Sequence, residues 1–155
     1  MGKKLAGRTT AEIEGDFVVF LIGGRPGVPR VMRSLRDLGG KRGMKHMLAY
    51  LGEHPEKGLL GYEALGPGCW VEYWRSFEHL EAFASDADDP HLDAWRNFTR
   101  RVGTSGRTGI WHEAFLVRAG EYEAVYTNMP VRGLARAGSS APLVGRTSAR
   151  ERLRR

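Results

Sequence analysis

An α+β fold, with an antiparallel sheet carrying helices on one face, is predicted by three observations in the sequence. Short apolar runs rich in β-branched and aromatic residues alternate with segments whose apolar residues recur at helical spacing. Glycine and proline punctuate the joins. Two of the runs, Asp16 to Ile22 and Gly109 to Val117, are apolar on both faces, as strands covered on both sides are. With 155 residues, the chain fits one ordinary domain that can bury a core without disulfides or metal.

Residues 1–11 are polar and read as a loose segment. Asp16-Phe17-Val18-Val19-Phe20-Leu21-Ile22 reads as a central strand closed by Gly23-Gly24, and Arg25-Pro26-Gly27-Val28-Pro29 as the turn that follows. Helical patterning runs through Val31, Met32, Leu35 and Leu38, is interrupted from Gly39 to Gly43, and resumes with Met44, Met47, Leu48 and Leu51. Leu59–Leu65 and Cys69–Arg75 form a hairpin about Gly66-Pro67-Gly68. Within the second strand, Cys69, Val71, Tyr73 and Arg75 share one face; Trp70, Glu72 and Trp74 share the other. Ser76 caps a helix bearing Phe77, Leu80 and Phe83. Asp89-Pro90 opens another, with His91, Ala94, Trp95 and Phe98 on one stripe.

A glycine-rich loop leads into Gly109-Ile110-Trp111-His112-Glu113-Ala114-Phe115-Leu116-Val117, where His112 faces away from Trp111 and Glu113. A lone histidine on such a face is more often a hydrogen-bonded core residue than a catalyst. A final strand spans Tyr122–Met129. The predicted organisation is a loose segment at 1–11, an α+β domain at 12–130, and a basic Gly/Ala/Arg-rich arm at 131–155. The order β-α(α)-β-β-α(α)-β-β suits a ferredoxin-like, split βαβ sheet. Its helices cover one face, so strands apolar on both faces predict a homodimer that buries the other.

The net charge of +6 is local. Seven arginines stand against Glu151 beyond Val131, leaving 17 basic and 17 acidic groups in the remainder. Nucleic acid is therefore not expected as a partner, despite the tail. Cys69 is the only cysteine, which suits a reducing compartment, and the cytoplasm is the expected location. No apolar run is long enough to span a membrane.

No phosphate-cradling loop, H-E-x-x-H pair or G-x-S-x-G elbow is present, and histidine spacing gives no metal site. The remaining chemistry is an aromatic-rich pocket candidate holding Tyr73, Arg75, His91, Trp95, His112, Glu113 and Asn128, with Trp74 and Trp111 beside them. Arg75 either orients an anionic substrate or pairs with Glu72, Glu113 or Asp86.

The segments Asp16 to Gly23, Tyr73 to Leu80, His91 to Arg96, Gly109 to Glu113, and Tyr126-Thr127-Asn128-Met129-Pro130 resemble the DUF4188 family. These are monooxygenase-like proteins of the dimeric α+β barrel superfamily, related to antibiotic-biosynthesis monooxygenases. The resemblance covers about residues 8–138. It implies a ferredoxin-like dimer and a cofactor-independent monooxygenase acting on a small hydrophobic, aromatic or polyene substrate. On that reading His112 or His91 is the base, Arg75 and Asn128 hold the substrate anion, and Trp74, Trp95 and Trp111 exclude water. The alternatives are a haem protein, with His112 or His91 as axial ligand, and a non-enzymatic dimeric binding module.

Overall fold

The computed structural model describes residues 4–27, 31–40, 43–145 and 148–153. Parts of the expected turn at 25–29, of the break at 39–43 and of the C-terminal arm lie outside the described residues. The first strand, β1 (Arg8–Glu12), is followed by β2 (Phe17–Arg25), α1 (Val31–Asp37) and α2 (Met44–Glu53). A 3-10 turn at Pro55–Lys57 leads to β3 (Leu59–Gly66) and β4 (Cys69–Trp74). Next come α3 (Phe77–Ser85), α4 (Pro90–Val102) and β5 (Gly109–Val117). The chain closes with β6 (Tyr126–Thr127), α5 (Leu134–Ala137), β7 (Ser139–Pro142) and α6 (Ala149–Arg152).

The main sheet has the order β3-β4-β2-β5, with every neighbouring pair antiparallel. Its register puts Val18 beside Trp74, Phe20 beside Glu72, and Ile22 beside Trp70. On the other side of β2, Phe20 pairs with Ala114 and Ile22 with His112. Pleat alternation therefore turns all of these residues to one face. Helices α2 and α3 cover it, and Val18, Leu51, Trp74, Leu80 and Phe83 form the core between them. Trp74 is the centre of that core, 1% exposed, with its ring 5.7 Å from Phe83. Truncating a ring so placed costs about 3–5 kcal/mol.

The hairpin, the Ser76 cap and the proline-opened α4 form where the sequence predicts them. Ser76 accepts from the backbone N–H of His79, satisfying one otherwise unpaired donor of the first turn. The rotation of α1 differs from its apolar pattern. Leu38, beyond the helix end, packs on Gly24, but Val31, Met32 and Leu35 are exposed while Ser34 and Asp37 are buried. Polar tethers set this orientation. Ser34 accepts from the N–H of Gly27 at 2.9 Å and receives the Thr108 hydroxyl at 3.2 Å, and Asp37 pairs with Arg107 at 3.0 Å. In a seven-residue helix, burying these groups bonded outweighs a short apolar stripe.

The second face of the main sheet is covered in part by the chain's own ends. Residues 1–11, expected to be loose, contribute most of β1, which pairs with β6 and β7 in a second, three-stranded sheet. The expected C-terminal arm supplies α5 and β7, and the expected strand at 122–129 shortens to Tyr126–Thr127. Ala11, Phe17, Leu134 and Ala135 form a second core here, joined by Val19, Leu60, Tyr73, Val117, Tyr122 and Tyr126. Gly61 permits the close approach: a Cβ there would lie 2.9 Å from the Cα of Ala137. Leu134 and Ala135 are flanked by arginine and glycine, so their small apolar contribution has no periodic signal in sequence.

Candidate functional site

The helix-covered face of the main sheet is sealed at one side and open at the other. Val18 and Trp74 are buried, Phe20, Ile22 and Trp70 are half-buried, and His112, Ala114 and Leu116 on β5 are exposed. Because β5 is the edge strand and α2 and α3 sit over β2 and β4, a partly uncovered strip, the trough, runs beside Phe20 and along β5.

Glu72 stands at the floor of this face. Phe20 and Tyr62 flank it in register, and Trp70 and Trp74 stand two residues to either side on its own strand. The residue is 4% exposed. One carboxyl oxygen accepts the indole N–H of Trp74 at 2.9 Å. The other accepts no hydrogen bond among the described residues, and since no fully sealed side-chain oxygen or nitrogen there lacks a partner, that oxygen is not fully sealed. Burial pushes the carboxyl up to about 7, and the Trp74 hydrogen bond opposes the rise.

His112 lies across the trough, its ring 5.3 Å from that of Phe20. It is exposed and makes no hydrogen bond among the described residues, so the hydrogen-bonded core histidine expected from its apolar face is not what forms. An edge strand without a covering helix is the reason. His91, at the start of α4, packs on Phe83 at 5.8 Å and bonds the carbonyl of Ala84 through Nδ1 at 3.0 Å. A carbonyl only accepts, so Nδ1 carries the hydrogen and Nε2 remains available. The corner before it is pinned: Tyr50 donates to Asp89 at 2.6 Å and Lys57 bridges Asp89 at 2.8 Å and Asp86 at 3.3 Å. Trp95 on the same helix is half exposed and stacks with Phe98 at 5.8 Å.

The other expected site residues do not converge on this trough. Tyr73 faces the second core, where burial, with Tyr126 and Glu63 nearby, pushes its hydroxyl up to about 12. Arg75 also lies on that side, lining an open groove of about 410 Å³ with Glu12, Glu14, Leu60 and Ala137. Facing away from Glu72, it makes no ion pair with Glu72, Glu113 or Asp86 among the described residues. Trp111 and Glu113 turn from His112 as strand parity requires. The Trp111 indole lies over Gly23, where a Cβ would come within 2.4 Å of its ring nitrogen. Trp74 is a core residue. Asn128, at φ 53°, is bonded to Gly7 in both directions and ties β6 to the start of β1.

His112 and His91, the axial ligands expected for a haem, lie on the helix-covered side of the sheet, and Arg75 lies on the other. No group of three or more potential metal ligands occurs among the described residues.

Glu72 is the group that sequence reasoning passed over. Its signal was the alternation Trp70, Glu72, Trp74, which strands a carboxylate between two indoles on a covered face.

No helix among the described residues is long and apolar enough to cross a membrane. A search of curated proteins finds no match. The sequence profile described as monooxygenase af470-like matches residues 17–134, from the first residue of β2 into α5. That span holds the whole main sheet, its helices and the trough, and it is well over half of the chain. The chain belongs to the monooxygenase af470-like family.

Proposed function

We propose that this protein is a monooxygenase that oxidises a small hydrophobic, electron-rich aromatic or polyene substrate with dioxygen, in the trough between Phe20 and β5. The observation that carries this reading is the placement of His112 over Phe20, with imidazole nitrogens unbonded among the described residues, within a stretch matched to a monooxygenase-like family. An apolar, aromatic surface with a few polar groups suits such a ligand.

The reaction balances without a nicotinamide or flavin. An activated CH₂ group of the substrate loses a proton, its anion passes one electron to dioxygen, and the resulting radical pair joins as a carbon-bound peroxide. Loss of the second C–H proton with O–O cleavage leaves a carbonyl and releases one water. Two groups on this face can take the first proton, His112 and Glu72. An imidazole N–H is suited to hold the oxygen of the developing anion, and His112 takes that role. His91, through Nε2, is a second polar contact from α4, and Trp95 extends the apolar wall.

The βαββαβ order and the β3-β4-β2-β5 sheet support the ferredoxin-like reading and a place in the dimeric α+β barrel superfamily. We also propose a homodimer. Trp111 and Phe115 remain 43% and 49% exposed on the part of the second face that β1 and α5 leave open, beside the unpaired edge of β5. Cytoplasmic location agrees with a lone cysteine.

Oxygen uptake by the purified protein with a panel of polyphenols and polyenes that carry an activated CH₂ group tests the reading. Uptake that falls at least tenfold in His112→Ala, with the melting temperature kept within a few degrees, is the expected result. Uptake with none of the panel would overturn it.

A further inference from the structure

Glu72 is a buried carboxylic acid with one oxygen committed to the Trp74 indole. Among the described residues it has no cationic partner, and its one side-chain hydrogen bond, from Trp74, leaves the other oxygen unbonded beside the partly uncovered aromatic strip. Proteins seldom bury a carboxyl without a counter-ion or a full set of hydrogen bonds, because its charged form is strongly disfavoured there. Where one persists inside a site, proton transfer is a leading explanation.

We propose that Glu72 is the catalytic base of this site, taking a proton directly from the bound substrate through its unbonded carboxyl oxygen. The inference rests on the reading of the trough as a substrate site. The substrate C–H or O–H bond breaks, the proton joins the carboxylate to give the acid, and the electron pair stays on the substrate. The same acid then returns the proton to the hydroxide released when the peroxide O–O bond breaks, forming water. Dioxygen is the oxidant.

The geometry suits this role. Glu72 stands opposite Phe20 and His112 opposite Ile22, two residues along β2, so with β2 between their strands they lie about 12 Å apart by the ordinary strand spacing and rise. Two or three fused aromatic rings lying over Phe20 and Ile22, with hydrogen-bonding substituents, fill that span between Glu72 and His112. Trp74 holds the carboxyl in place from the sealed side.

The ionisation of Glu72 also falls where a base is effective, near neutrality. Toward its side of the sheet the elements around it present Tyr62 of β3, His112 of β5, Tyr50 of α2 and His91 of α4, while Lys45, His46 and Glu53 of α2 and Glu78 and Glu81 of α3 are exposed and His79 of α3 bonds Ser76. None is bonded to it, and no charged group contributes to its shift. Its titration is therefore set by burial and by Trp74.

The test uses 1-naphthol as a substrate-like probe under nitrogen, with binding followed by tryptophan fluorescence across the range from pH 5 to pH 8. A carboxylate accepts the naphthol O–H more strongly than the acid does, so wild-type affinity should rise about tenfold through neutrality. Glu72→Gln keeps an oxygen for Trp74 and should give a flat profile. His112→Asn should keep the rise, whatever its effect on absolute affinity.

A rise that persists in Glu72→Gln, a rise lost in His112→Asn, or no naphthol binding to the wild type would each overturn the proposal. Should Glu72→Gln fail to fold, the wild-type side-chain ¹³C carboxyl signal decides. That signal should titrate near neutrality and move on adding naphthol, and a stationary signal overturns the assignment. If the anaerobic pattern holds but no electron-rich substrate consumes oxygen, the monooxygenase reading fails while Glu72 stands as a base.

Discussion

The indole N–H of Trp74 donates to a carboxyl oxygen of Glu72 at 2.9 Å, and both residues project from β4 beneath the helices. One is the centre of the core and the other its only ionisable neighbour on that strand face. The pair couples stability to the chemistry proposed for the trough.

The first prediction concerns that coupling. Folding raises the Glu72 carboxyl from its ordinary 4.5 to about 7. The folded chain therefore holds a proton that the unfolded chain gives up between those values, and stability falls as pH rises across that window. Above neutrality the penalty is about 3 kcal/mol. Urea unfolding should find Glu72→Gln more stable than wild type near pH 8 by roughly that amount, with the gap closing near pH 5. A gap independent of pH would mean that folding leaves the Glu72 carboxyl at its ordinary value.

A second prediction concerns Gly23. A methyl group there would meet the Trp111 ring, which is already 43% exposed and can swing away from the sheet. Gly23→Ala should cost only about 1 kcal/mol but should shift Trp111 emission to the red. Comparison with Trp111→Phe isolates that signal from the other tryptophans.

The C-terminal segment gives a third. A chain ending at Pro130 lacks Leu134 and Ala135, uncovering Phe17, Val19 and Tyr73, and also loses the ion pair between Arg152 and Glu123. Denaturant titration should show a loss of about 3 kcal/mol or more. A mobile arm would be removable at no cost.

The proposed dimer gives a fourth. Phe115→Asp places a charge on the open part of the second face without touching either core, so the folded chain should become monomeric. Light scattering at micromolar concentration checks this against the wild type. A wild-type monomer would contradict the assignment of that face.

Much of the fold is legible in the sequence because β2, β4, α3 and α4 each carry consistent local signals. The continuous apolar run from Phe17 to Ile22 predicts a central strand, Ser76 a cap, and Asp89-Pro90 a restart, and each forms there. What was not legible depended on contacts far along the chain. Thr10 and Ala11 look like loop residues until β7 pairs with them, and Ser34 and Asp37 look like the outer face of α1 until Gly27, Thr108 and Arg107 bond them.

The site was legible in kind rather than in membership. Parity correctly separates His112 from Glu113, and the same alternation set Glu72 apart from Arg75. What sequence could not supply was the depth of each strand beneath the helices. That depth buries Trp74 and leaves His112 open.

The most direct test of the account is oxygenation of an electron-rich aromatic CH₂ substrate under ¹⁸O₂, with no reductant, flavin or haemin added. Mass spectrometry should find one labelled oxygen in the carbonyl product and the other in water, with turnover sharply reduced in Glu72→Gln and in His112→Ala. Product oxygen drawn from water, or turnover that appears only once haemin has been bound, would contradict it.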